Sequence, residues 1–243
     1  MTTLSVSPPL ATTRRFYIGL GVIVTVLAFV GFWPTYFGPL LAGKVDKRPS
    51  FIHFHAVVYV GWLLIFIAQT VFAARRRIDL HIKLGKIGIG YGVIVILVGL
   101  LAGFGMFAVR VRAGEVAEAQ RRLIGPLVDM LVFAPFFAAA VYHRRRPELH
   151  KRLMIVATTT LLIAAVVRMS FLGDPVHPGL VLLIWSSPIL LAMGYDFAKR
   201  RIVHPVYLLG LAVMTLESPM FRRMARGTDT WQSFSAWMVT LVS

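Results

Sequence analysis

Residues 85–109 read GKIGIGYGVIVILVGLLAGFGMFAV. About 20 predominantly apolar residues cross the hydrocarbon core of a bilayer as an α-helix, so this run predicts a transmembrane span. Working outward, comparable runs lie near 16–36, 52–73, 124–142, 153–172, 179–197 and 202–218, which makes about seven spans. The expected fold is therefore all-α, a polytopic transmembrane helical bundle. Ser186, Ser187 and Pro188 interrupt the sixth run and Pro205 begins the seventh, so these two also admit a kinked or re-entrant pair.

Composition agrees. Of 243 residues, 58% are hydrophobic and 15% charged, with mean hydropathy +0.76, whereas a soluble domain is about half apolar and about a quarter charged. A water-soluble chain of this length has too little interior to hide so much apolar surface. The net charge of +16 comes from Lys and Arg gathered in short segments between apolar runs. That pattern belongs to membrane-flanking loops that meet anionic headgroups, and no nucleic acid is expected. With no cysteine, disulfides, thiolate metal sites and thiol catalysis are excluded.

Residues 1–15 form a short polar segment, and the apolar run beyond it is too long for a signal-peptide core and lacks a clear small-residue cleavage site. It reads as a retained first helix. The bundle then occupies 16–218, and 219–243 is a tail that begins with Arg222, Arg223 and Arg226. From Trp231 to Val242 the tail alternates aromatic and polar residues, as an interfacial helix does. Counted by side, the N-terminus and the second, fourth and sixth loops carry fifteen Lys and Arg against ten opposite. The positive-inside rule then puts the N-terminus in the cytoplasm, and a bacterial inner membrane is the expected location.

The chain repeats itself. Residues 75–84, RRRIDLHIKL, match residues 144–153, RRRPELHKRL, at an offset of 69. Both segments join two apolar runs, so hairpins at about 52–109 and 124–172 point the same way, related as parallel repeats are. His81 and His150 then share one depth. Paired imidazoles on different helices of a bundle are what a b-type haem requires. The alternative is a pair of headgroup-level histidines that cap helices or touch lipid phosphate. His53 and His55 lie at the opposite mouth of the second span, His55 one turn inside; with His177 in an outer loop, His55 makes a second candidate pair, against a purely interfacial role.

Asp129 in the fourth span and Arg168 in the fifth fall at similar distances from the outer ends of antiparallel neighbours, and an intramembrane ion pair between them is expected. Gly85, Gly88, Gly92, Gly99 and Gly103 line one face of the third span. Such a face admits a neighbouring helix, a flat porphyrin or an acyl chain. Several functions drop out: the last span has no Schiff-base lysine, and no histidine boxes, HExxH, P-loop or GxSxG occur.

His55 to Gln69, residues 75–92 and residues 144–168 together resemble a bacterial family of multi-pass membrane proteins of unknown function. That family shows a His-x-x-Leu-Gly entrance and a later His-x-x-Met element that ends in an intramembrane Arg. The resemblance covers roughly residues 50–172 and marks His55, His81, His150 and Arg168, without supplying a reaction. A more distant likeness to two-haem b-type cytochromes rests on helix-borne histidine pairs and glycine faces. Two readings stand. One is a haem b protein that transfers electrons, with a quinol and a partner membrane subunit in view; the other is a non-enzymatic accessory subunit or a transporter-like bundle that binds lipid or a small apolar molecule.

Overall fold

A computed structural model describes residues 11–44, 48–169, 171 and 177–242. Among them the regular structure is helical. Helix α1 (Ala11–Phe32) passes through a π-helical turn at Trp33–Phe37 into α2 (Gly38–Leu41); α3 (Ser50–Ala74) and α4 (Ile78–Arg112) follow, then α5 (Val116–Tyr142), α6 (Pro147–Thr160), α7 (Ile163–Val166) and α8 (Pro178–Arg200). Three shorter helices, α9 (Pro205–Leu216), α10 (Pro219–Arg226) and α11 (Asp229–Thr240), end the chain. Among the described residues, six helical segments are long and apolar enough to cross a membrane. The protein is an integral membrane helical bundle.

In place of a full seventh span stands α9. Its 12 residues rise about 18 Å, which carries it only part of the way across. The sixth span, by contrast, is one continuous helix despite Pro188. A proline removes an amide and strands the carbonyl four residues back; here the Ser187 hydroxyl donates to that carbonyl, of Ile184, at 2.7 Å. The serine that looked like a break is the repair.

Helix α4 overruns its apolar core at both ends. Asp79 sits in its first turn and Arg110 and Arg112 in its last, each where the helix dipole favours that charge. Gly114, at φ +80°, supplies the left-handed residue that turns α4 into α5.

Helices α3, α4, α5 and α6 pack in chain order, α1 lies against α3, α6 and α7, and α8 and α9 flank α6. Helix α6 is central: Leu153, Ile155, Val156, Ala157 and the run Thr158–Thr160 are all buried. Its polar threonines therefore face protein and not lipid. The Trp185 indole of α8 donates to the Thr159 carbonyl at 2.9 Å, where the span breaks between α6 and α7. In the tail, Trp231, Phe234, Met238, Val239 and Val242 pack on Phe107, Val111, Ala119 and Leu123 at the ends of α4 and α5. This apolar face is used against the bundle.

Close backbone approach fixes α1. A Cβ on buried Gly31 would run into the backbone of Ala165 in α7, whereas one on Gly90 in α4 would meet nothing within 4 Å. Gly31→Ala is expected to destabilise the protein by about 1–3 kcal/mol, the usual cost of overpacking. Gly90→Ala should leave stability unchanged or slightly raised. Thermal unfolding in one detergent compares the two.

Candidate functional site

The two RRR turns build matching geometry. In each, an acidic residue (Asp79, Glu148) opens the next helix, and the histidine amide two residues on bonds back to the last arginine's carbonyl, His81 to Arg77 at 3.0 Å and His150 to Arg146 at 2.9 Å. The imidazoles turn the same way. His81 Nδ1 lies 3.3 Å from the Gln69 carbonyl of α3, and His150 Nδ1 lies 2.8 Å from the Ala140 carbonyl of α5. A carbonyl only accepts, so each Nδ1 is the donor, and Nε2 is the nitrogen left for a ligand. A metal-binding histidine is oriented in this manner.

The repeat brings the two rings together, with centroids 6.4 Å apart and planes at 86°. Two imidazoles this close on different helices of a bundle are a donor set that could hold one haem iron between them. Both histidines are half-buried. Two further buried polar atoms point to a missing partner nearby: Trp62 Nε1 and Gln69 Oε1 of α3 are without hydrogen bonds. They lie two helical turns apart and so share a face. Trp62 also stands edge-on to Phe133 and Phe137 of α5, at 5.6 and 5.5 Å.

The remaining expectations fare differently. His55 and His177 do not meet. The His55 ring lies on Tyr59 at 4.1 Å with its Nδ1 unpartnered, while His177 is an exposed residue at the start of α8. His53 bonds the Tyr36 hydroxyl at 3.0 Å. The glycine face of α4 is a helix-packing surface: a Cβ at Gly92 would strike Phe137, one at Gly99 would strike Tyr59 and Met130, and one at Gly103 would come within 2.6 Å of Pro126. Gly88 sits at ordinary contact from Ile65, and Gly85 faces the Gln69 amide. Side chains of α3 and α5 fill the room a flat ring would take there.

Asp129 pairs with Arg222 and not with Arg168. Arg222 Nη2 donates to Asp129 Oδ1 at 2.6 Å and to Glu217 Oε2 at 3.2 Å, with all three side chains buried or nearly so. Arg168 instead bonds the Ala164 carbonyl in its own turn and lies over the Phe32 ring. The pairing changed because α9 stops short, and the turn into α10 returns Arg222 to α5 at the depth of Asp129. The sequence pattern puts Arg222 in a basic, interfacial tail.

A second buried pair was also missed. Arg152, 1% exposed, forks onto Asp196 of α8 at 2.8–3.0 Å and bonds Glu148 at 2.9 Å. This network is saturated, its guanidinium stacking over Tyr207 at 5.8 Å, and it ties α8 and α9 to α6. An RxxxxD-type spacing does not reveal it, since Arg152 and Asp196 are 44 residues apart.

No family profile, no curated protein and no solved structure matches the chain. The geometry therefore carries the functional argument.

Proposed function

We propose that this protein binds haem b between His81 and His150 and transfers electrons in the bacterial inner membrane. The observation that carries the reading is the convergence of two repeat-related imidazoles, 6.4 Å apart, each held through Nδ1 with Nε2 left to a ligand. When bound, the haem would supply a one-electron couple whose potential His81 and His150 and their hydrogen bonds would tune. The chain's own parts do the rest. The Gln69 and Ala140 carbonyls fix ring orientation, and the aromatic group of Trp62, Phe133 and Phe137 keeps the interior dry. Arg75–Arg77 and Arg144–Arg146, on the same side as the histidines, suit haem propionates and anionic headgroups, and their charge supports a cytoplasmic location for that side.

The test is the absorption spectrum of the full-length protein, purified in detergent after expression with haem precursor. A Soret band and sharpened visible bands on reduction are expected. A colourless preparation overturns the proposal. A lipid- or small-molecule-binding bundle would then remain, and one feature suits it: an apolar groove of about 370 Å³ between Phe29, Trp33 and Phe171.

A further inference from the structure

We propose that Glu217 and Arg222 form the polar end of a binding site for a lipophilic phenol of the hydroquinone class, whose ring occupies the groove between α5 and α9. This site is separate from the histidine pair, and the proposal stands or falls without haem.

The first observation is the groove. Val128 and Val132 of α5 and Val213 and Leu216 of α9 line an open groove of about 200 Å³, with Phe221, Glu217 and Arg222 also in its wall. A cavity of about 150 Å³ accommodates benzene. The space thus takes one substituted six-membered ring, and a tail leaving it would run between apolar side chains toward lipid.

The second observation is an unmet hydrogen bond. Arg222 spends its donors on four acceptors: Nε on the Glu217 carbonyl at 2.6 Å, Nη1 on the Gly125 carbonyl at 3.4 Å, and Nη2 on Asp129 at 2.6 Å and Glu217 Oε2 at 3.2 Å. None of these contacts reaches Glu217 Oε1, which is buried without a partner on a side chain only 4% exposed. A buried carboxylate oxygen in an apolar wall without a donor is costly, and a ligand hydroxyl corrects it. Charge selects the ligand further. Arg222 is already paired to Asp129 and Glu217, so the wall offers a fatty acid or a phosphate no unpaired cation from Arg222 and favours a neutral ligand.

The probe is a decyl-substituted hydroquinone kept under argon, titrated into detergent-purified full-length protein and read by calorimetry. Saturable binding at one site is expected, weakened at least tenfold for the hydroquinone dimethyl ether, which keeps the ring and loses both donors. Val132→Trp, which fills the groove without touching the ion pairs, should weaken binding by a similar factor, and so should Glu217→Leu. The ether comparison uses the unaltered protein, so it decides the matter even where Glu217→Leu fails to fold. Equal affinity for hydroquinone and ether removes Glu217 from the site; decanol binding as tightly as the hydroquinone removes the phenolic assignment. No binding by any probe overturns the proposal.

Discussion

Alanine at His81 or at His150 shifts or abolishes the Soret band while the protein still inserts and purifies: that is the expected result, and each half of it has its own reason. Both imidazoles would hold the haem, so either substitution would leave one ligand and a changed or absent spectrum. Folding should survive, because what the structure itself loses is one hydrogen bond to a carbonyl, at Gln69 or at Ala140, a cost of about 0.5–1.5 kcal/mol. His143→Ala, in the neighbouring turn, and His55→Ala, beside Tyr59, should leave the band in place. A spectrum that survives both His81→Ala and His150→Ala would dismiss the pair as the cofactor site.

Arg222→Met should be the most damaging single substitution in the outer half of the bundle. It strands Asp129 and Glu217, whose carboxylates are 14% and 4% exposed, with no guanidinium between them. Removing one partner from a buried ion pair costs about 3–5 kcal/mol, because the remaining charge keeps its desolvation penalty. For a chain of this size that is a fall in Tm of roughly 6–20 °C. Arg168→Met should cost much less, since its guanidinium is exposed and bonds only within its own turn. Adding Asp129→Asn to Arg222→Met should restore part of the loss, as one stranded charge is gone. If Arg168→Met proves the worse of the two, the Arg222-centred arrangement is wrong.

Much of this architecture is written locally. Lipid satisfies no backbone polar group, so each apolar run must be a helix, and the runs can be read one at a time. The π-helical turn around Pro34 and the continuity through Pro188 are departures at the scale of single carbonyls, which a run of hydropathy does not register. The repeated hairpin is equally local. Two copies of one turn in parallel orientation bring their histidines to one depth, and the rings meet because α3 to α6 pack in chain order.

Pairings between distant elements follow another logic. The sequence offers Arg168 as the partner of Asp129, and Asp129 pairs with Arg222 instead because α9 ends after 12 residues and folds the tail back onto α5. Arg152 and Asp196 find each other only because α8 lies along α6. The glycines of α4 announced a smooth face, and what filled it, Phe137, Met130 and Pro126, depended on which helix came alongside. Helices and their repeat are imposed by the solvent on each segment separately, whereas charge partners and packed faces are imposed by neighbours that no segment contains.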